Sequence, residues 1–458
     1  MGILQSVSDL VRLNRHFYHW TRQQIVHYQE KAVLFLLQLV RQDSPFYSEF
    51  YAGQTIRNLD DFSQLPTINK TVMMEQFDRL NTAGLHLDDV MAYALEKEMN
   101  HDYLGYFQDQ FVAGLSSGTS GNKGIYLTDR SMTRRLPGVF LARGGVSLAD
   151  LPLRILFILR VFSQGFADIN APLIKLSYLS SMTEAEEIIR TFNDMKANIL
   201  MAPPSLLRQL LPVCDKLKTP PRRVITYAEV LEIEEKTRIS KAFAAPVVEI
   251  YQASEGQIGS PCRCGNLHIN EDLVYVELFE QDGITRVTEP GQRGRVVLTN
   301  LVNTVQPLLR YEMNDIIELG SDCPCGSRFR VINRIIGRND DVLHLMTRKG
   351  TLRPVYPDLV SRWIITTDDR IREFSVKQDA ADHLTITLDI GAAGLQDTVG
   401  DMIVNHLTTR LTQELAVFDV DCRFTVRLQT IHLPADAGKM KRFIRTYDIA
   451  ENRRPTQL

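Results

Sequence analysis

No apolar run in this chain approaches the ~18 residues that a membrane-crossing helix needs, so no membrane span is expected. Neither sign of charge dominates: 52 Lys and Arg stand against 55 Asp and Glu, a formal net charge of −3. That balance excludes general nucleic-acid binding and polybasic docking on a membrane. There is no internal repeat and no low-complexity tract, so a repeat architecture is excluded. The beginning of the chain lacks the charged and apolar regions of a signal peptide, and a cytoplasmic location is expected. A match of Gly2 and Ser6 to a myristoylation pattern is short enough to arise by chance. Cysteine is scarce, six among 458 residues. Four of the six fall into two C-x-C pairs, which in a reducing cytosol speaks for a metal rather than a disulfide framework. Tryptophan is scarcer still, and Trp20 and Trp363 are expected to be packing residues.

Two common nucleotide signatures are also missing, the Walker loop and the G-x-G-x-x-G fingerprint. In their place, residues 115–124 read Leu-Ser-Ser-Gly-Thr-Ser-Gly-Asn-Lys-Gly. Gly118, Gly121 and Gly124 are spaced three apart, among the hydroxyls of Ser116, Ser117, Thr119 and Ser120 and the cation Lys123. Glycine lets successive N–H groups turn into one concavity, a nest for an anion. Hydroxyls and a lysine suit a polyphosphate.

The length implies two or three domains. Residues 6–42 have helical spacing, with Leu10, Leu13, Phe17, Trp20 and Ile25 on the apolar side, and Ser44-Pro45 ends the run. Between 124 and 251, strand-like runs at 154–159, 197–201, 223–227 and 247–251 alternate with helical segments near 182–195, 203–216 and 230–242. Such alternation predicts a parallel α/β core. From about 268 to 336, short strands and turn signals predict an antiparallel β region. Strands near 373–378 and 383–390, a helix near 394–416 and a strand near 419–428 make a small α+β unit.

Three further clusters carry chemistry. Tyr251-Gln252-Ala253-Ser254-Glu255-Gly256 follows the last core strand, where open parallel sheets bind ligands. It offers an aromatic for a purine, a hydroxyl for a phosphate and a carboxylate for Mg²⁺. In the segment 307–315, Asp315 can accept hydrogen bonds from both hydroxyls of a ribose. Without a ligand, Asp315 would cap a helix or turn, and Arg310 would form a surface ion pair. Near the end, Ala437-Gly438-Lys439-Met440-Lys441-Arg442 follows a strand and supplies a loop lysine.

In this order, the Ser/Thr/Gly loop, Tyr-x-x-Ser-Glu, Arg-Tyr-x-x-x-Asp, Gly-Arg-x-Asp-Asp and a distal Gly-Lys resemble the adenylate-forming superfamily. The likeness is to phenylacetate–CoA ligases and the related deazaflavin-coenzyme adenylating synthetases. Asp43-Ser44-Pro45-Phe46-Tyr47 and Leu65-Pro66-Thr67-Ile68-Asn69-Lys70 are similar to that family's N-terminal signatures. The resemblance implies an α/β fold with a large N-terminal adenylate-forming domain, α/β core plus antiparallel β region, over 1–339. A small mobile C-terminal α+β lid would occupy 340–458.

The resemblance also implies roles. Residues 116–124 would cradle the β- and γ-phosphates of ATP. Ala228 and Glu229, with Val230, would line the adenine pocket, and Tyr251 would stack on the base. Ser254 would touch the α-phosphate and Glu255 the Mg²⁺. Asp315 would hold the ribose with Arg338 nearby, Asp340 would be the hinge, and Lys439 would approach the α-phosphate and the reacting carboxylate. The activity implied is adenylation of a small-molecule carboxylate, then transfer to coenzyme A or to a carrier protein's phosphopantetheine. One alternative is transfer of AMP to a hydroxyl acceptor, and another is a non-catalytic nucleotide-binding protein. A homodimer stays open. Phe162, Phe166 and Pro203-Pro204-Ser205 would face the acyl group by their placement beside core strands.

Departures from the family pattern fall at Gln252, usually glycine, at Glu312-Met313-Asn314, and along 343–357. The cysteine pairs stand apart. Cys262 and Cys264, Cys323 and Cys325 each precede a glycine, and His268 follows the first pair. Four thiolates, or three with His268, satisfy a tetrahedral structural Zn²⁺ near 260–330.

Overall fold

The computed structural model describes residues 2–100, 102, 104–115, 124–159, 163–391, 398–431 and 441–446. By internal contacts the chain divides into two compact units. The first holds Met1–Leu231, Arg238–Met313 and Ile317–Ile335, and the second holds Glu232–Thr237, Asn314–Ile316 and Ile336–Leu458.

The first unit begins with α1 (Gly2–His19) and α2 (Arg22–Asp43), not the single helix that the spacing over 6–42 predicts. The break falls at Trp20–Thr21. Thr21 accepts from the backbone N–H of Gln24 and Gln24 reaches back to Thr21, a capping box that starts α2 afresh. Ser44 both ends α2 and caps α3 (Pro45–Phe50), whose first position holds Pro45.

Next comes an antiparallel pair, β1 (Phe111–Leu115) and β2 (Ile125–Asp129), with Leu115 opposite Ile125. The α/β core follows: β3 (Leu153–Leu159), β4 (Ile174–Ser180), β5 (Ile199–Met201), β6 (Arg223–Thr226) and β7 (Val247–Glu249). They pair in parallel in the order β4-β3-β5-β6-β7. Helices cover this sheet, and Ile188, Ile189 and Phe192 of the helix Ala185–Asp194 lie in the core with Leu156 and Ile158. The run at 247–251 is not one strand. Its last residue opens β8 (Tyr251–Ala253), which belongs to the next sheet.

That sheet adds β9 (Gly256–Pro261), β10 (Leu267–Ile269), β11 (Val274–Phe279), β12 (Arg293–Asn300), β13 (Tyr311–Leu319) and β14 (Val331–Arg338). Its order is β11-β12-β13-β14-β10-β9-β8, and the pairs β8–β9, β9–β10, β10–β14 and β11–β12 run antiparallel. The antiparallel expectation therefore holds over this stretch.

The second unit carries the hairpin β15 (Leu343–Met346) and β16 (Leu352–Val355). It also has a mixed sheet of β17 (Glu373–Ala380), β18 (His383–Asp389), β19 (Arg423–Leu428) and β20 (Phe443–Arg445), in the order β19-β18-β17-β20. The helices Pro357–Ile365 and Thr398–Val417 complete its apolar core through Trp363, Ile364, Leu407 and Leu411. Among the described residues, no helix is long and apolar enough to cross a membrane.

Candidate active site

The carboxyl ends of the parallel strands supply the first part of the site. Beyond β5, Ser205 opens the helix Pro204–Leu210, and beyond β6 lie Ala228 and Glu229. Glu229 joins the two strand ends, because its carboxylate accepts from the Ser205 N–H at 3.0 Å and from its hydroxyl at 2.7 Å. Ala228 has φ of +69°, a left-handed conformation that costs a residue with a Cβ on the order of 1 kcal/mol. Tyr227, just before it, is buried and donates to the Ile158 carbonyl at 2.5 Å, which anchors the turn on β3. Phe166 packs on Phe157 with ring centroids 4.8 Å apart, and Phe162 lies outside the described residues.

Glu255 forms the second part, in the turn between β8 and β9. Its Oε1 accepts from the Tyr126 hydroxyl at 2.7 Å, and Tyr126 also meets the Tyr311 hydroxyl at 3.2 Å. Burial, and then the Glu255 charge, push the Tyr126 phenol far above its usual range, so it remains a proton donor. Tyr126 lies two residues beyond Gly124, so the end of the glycine-rich segment and Glu255 meet across 129 residues of chain. Asn300 donates to the Glu255 carbonyl at 2.7 Å and sits against Gly256, where a Cβ would come within 3.2 Å of its amide nitrogen. Gln306 secures β2, accepting from the Leu127 N–H at 2.7 Å and donating to the Ile125 carbonyl at 3.0 Å. Sequence reasoning missed Tyr126, Asn300 and Gln306. Tyr126 and Gln306 flank the motifs, which was their only signal, and Asn300 had none. Tyr251 is buried in the core of the antiparallel sheet, Ser254 lies in the turn before Glu255, and residues 116–123 lie outside the described residues.

The segment 307–312 is braced by both N-terminal signatures. Tyr47 donates to the Pro307 carbonyl at 2.9 Å and accepts from the Leu309 N–H at 3.3 Å. Ile68 donates to the Arg310 carbonyl at 3.1 Å and accepts from the Glu312 N–H at 2.8 Å. Arg310 is not the surface residue expected. It is buried with φ of +48°, pairs with Glu277 at 3.0 Å and donates to the Leu65 carbonyl. Nor does Asp315 cap a helix or turn; it lies within β13.

Within the second unit, Asn314 donates to Asp340 at 2.6 Å, beside Asp315 in the chain. Asp341 is pushed up to about 6 by burial, against the pull of Arg338 and Lys441 and with Asp340 and Asp315 adding to the rise. Asp315, Arg338 and Asp340 are thus close enough to act on one carboxyl, and Asp341 Oδ1 is buried without a partner. Lys439 lies outside the described residues. Three residues later, Arg442 is held by Glu373 at 2.7 and 3.1 Å, and β20 then pairs with β17.

The thiols form a separate group. One ligand atom each from Cys262, His268, Cys323 and Cys325 lies within 4.8 Å of the others. Cys264 is exposed and outside that group. Burial works to raise the Cys323 thiol, but hydrogen bonds with the Cys325 N–H, with Asn266 and with the His268 and Cys325 side chains outweigh it and lower it.

The parallel α/β sheet, the antiparallel sheet with Glu255 in its β8–β9 turn and the smaller α+β unit make a fold that the chain shares with solved acyl-CoA ligase structures. No family model matches it. It is similar to 2-hydroxyisobutyryl-CoA ligase in complex with its acyl-adenylate, with a TM-score of 0.71 and 17% identity, covering 96% of this chain and 92% of that one. It is 24% identical over 469 residues to protein CapK of Staphylococcus aureus, across 94% of this chain and 92% of that protein. Over 219 residues it is 24% identical to phenylacetate-coenzyme A ligase of Aromatoleum evansii, spanning 45% and 48% of the two chains.

Proposed function

We propose that this protein activates a small-molecule carboxylate with ATP and passes the acyl group to a thiol, either coenzyme A or a carrier protein's phosphopantetheine. The observation that carries this reading is the Tyr126–Glu255 hydrogen bond of 2.7 Å, which joins the end of the glycine-rich segment to the carboxylate expected at the polyphosphate. The acyl-CoA ligases among the similar proteins, and the acyl-adenylate bound in one of them, support the same chemistry.

In the first step a carboxylate oxygen attacks the α-phosphorus of ATP, a P–O bond forms, and the bond to pyrophosphate breaks. Positioning and charge compensation do most of the work in such a transfer. Ser116, Ser117, Gly118, Thr119, Ser120, Gly121, Lys123 and Gly124 hold the β- and γ-phosphates. Ala228, Glu229 and Tyr251 receive the base, Ser254 the α-phosphate, and Asp315 with Arg338 the ribose. A hard carboxylate oxygen suits Mg²⁺, and Glu255 supplies one; the ion, when bound, neutralises polyphosphate charge. Tyr126 donates to that carboxylate and fixes its direction. Lys439 brings an ammonium to the α-phosphate and the incoming carboxylate, and Asp340 is the pivot of its unit. In the second step a thiolate sulfur attacks the acyl carbonyl carbon and AMP leaves.

Two measurements test this. A hydroxylamine-trapped adenylation screen over a library of acids, with and without coenzyme A, should find acids that release pyrophosphate, and free AMP should appear when the thiol is added. AMP retained on a hydroxyl acceptor would select the transfer alternative, and no pyrophosphate exchange with any acid would overturn adenylation. Lys439→Ala should lower pyrophosphate exchange at least ~100-fold, as removal of a charge that stabilises the transition state does. It should spare thioester formation from a supplied acyl-adenylate. Equal loss of both steps would remove the assigned role.

A further inference from the structure

The two cysteine turns are twins in sequence and in backbone. In each, the first cysteine's carbonyl accepts from the glycine three residues later, Gly265 to Cys262 at 2.9 Å and Gly326 to Cys323 at 3.3 Å. Both glycines are left-handed, with φ of +80° and +87°. N–H groups also point at sulfur, from Cys264 to Cys262 at 3.3 Å, from Ser327 to Cys325 at 3.4 Å and from the Asn266 amide to Cys323 at 3.2 Å. Donors aimed at sulfur stabilise thiolates, the form that ligates metals.

The twins then diverge. Cys264 turns to solvent, and His268 of β10, fully buried, meets the other three sulfurs in its place. The His268 Nδ1–H donates to the Phe329 carbonyl at 2.8 Å, which leaves the Nε2 lone pair facing Cys325 Sγ at 3.6 Å. A backbone acceptor that fixes the tautomer is the usual support of a ligating histidine. Cys262 Sγ and Cys323 Sγ are 3.7 Å apart. Zn–S bonds of about 2.3 Å and a Zn–N bond of about 2.05 Å at tetrahedral angles give edges of roughly 3.8 Å between sulfurs and roughly 3.6 Å from sulfur to nitrogen. The observed 3.7 and 3.6 Å are those edges.

We propose that Cys262, His268, Cys323 and Cys325 bind one structural Zn²⁺ that fastens α1 to the antiparallel sheet, with Cys264 outside the shell. Four protein ligands close the tetrahedron and leave no position for water or substrate. Each ligating thiol gives its proton to solvent as its S–Zn bond forms. The site's outer wall is α1: the Phe17 ring packs edge-on to His268 and to Phe329 at 5.3 and 5.1 Å. The Tyr18 hydroxyl accepts from the Arg263 N–H at 3.1 Å, and the Arg263 guanidinium donates to the Cys325 carbonyl. The metal therefore ties two distant turns and, through them, the first helix. This inference rests on residues that the nucleotide reading does not use.

The test is elemental analysis of the full chain purified without chelator, followed by chelation under reductant and titration with Zn²⁺ or Co²⁺ alone. About one zinc per chain is expected, and the Co²⁺ form should show thiolate-to-metal charge-transfer bands and the intense ligand-field bands of a tetrahedral site. Cys264→Ser should keep full stoichiometry, whereas Cys325→Ser and His268→Gln should weaken metal binding at least ~10-fold. Chelation should speed hydrogen exchange in Gly2–His19 while leaving Leu153–Leu159 unchanged. Wild-type protein with less than ~0.1 zinc per chain and no tetrahedral cobalt spectrum would overturn the site. So would Cys264→Ser losing metal as fully as Cys325→Ser. Should the ligand variants fail to fold, wild-type metal content and Cys264→Ser decide alone.

Discussion

The two large sheets of the first unit bury their residues by different means. In the parallel sheet, Ile155, Leu156, Phe157 and Ile158 are buried in succession, and both faces are apolar. The antiparallel sheet instead takes Glu277 of β11, with Glu271 and Asp272 of the turn between β10 and β11, into the interior, each matched by arginine. Glu271 is held by Arg22 at 2.6 Å and Arg330 at 3.0 Å, Asp272 by Arg143 at 2.9 Å, and Glu277 by Arg310 at 3.0 Å and Arg286 at 3.1 Å. Burial alone would raise the Asp272 carboxyl, but Arg143 and His16 hold it below its usual value. Glu277 goes the other way, as burial outweighs its arginines and raises it. Truncating an apolar side chain in the first sheet costs the area it buried and the cavity it leaves. Removing one member of a buried ion pair strands the other charge in low dielectric, so damage to the second sheet is larger per residue.

Arg143→Met should give the largest effect, about 3–5 kcal/mol of lost stability, because buried Asp272 would lose its arginine and keep only His16 as a partner. Trp20 stacks on His16 at 3.7 Å, and His16 contacts Asp272 at 3.1 Å, so Trp20 fluorescence in a denaturant titration reads the change directly. Adding Asp272→Asn should recover part of the loss, and no recovery would break the proposed coupling. Leu156→Ala, in the parallel sheet, should cost about 2–4 kcal/mol, with no charge partner able to rescue it. A cost above that of Arg143→Met would reverse the ranking of the two sheets. The smallest effect belongs to the second unit. Asp341 has its carboxyl raised from the ordinary 3.8 to about 6. Below pH 3.8 both states are protonated, and between 3.8 and about 6 the unfolded chain ionises first, so native stability falls as pH rises. Asp341→Asn should then gain about 1–2 kcal/mol above pH 6, discounted for partial exposure, and nothing below pH 4. Trp363, buried in that unit, follows it once Trp20 is changed to Phe. A gain that persists at low pH would show that burial of the charge is not the cause.

The parallel core was legible because strands buried on both faces read as continuous apolar runs between helices. Its edge strand β4 escaped notice, because Ile174-Lys175-Leu176-Ser177 alternates and resembles a surface turn. The break in the first helix was in principle visible, since Thr21-x-x-Gln24 is a capping pair, but the apolar spacing continues straight through it. The buried charges were not legible. A linear pattern treats Arg143 or Arg310 as surface, and their partners lie 129 and 33 residues away. The cysteine pairs were readable as a metal motif, yet the choice between Cys264 and His268 was not. It depends on β10, whose pairing with β9 and β14 carries His268 inward. At the candidate active site the motif residues stood out by type, while Tyr126, Asn300 and Gln306, which hold those residues in position, have no distinctive composition.

The direct pairing of Leu115 with Ile125 has a consequence for how the segment between them can vary. Leu115 and Ile125 face each other at one end of the β1–β2 pair, so the two ends of the glycine-rich segment that joins them are fixed side by side. Closing a longer loop between fixed ends costs only about 0.6 kcal/mol per doubling of length. A change in the length of that segment is therefore expected to cost the β1–β2 pair little.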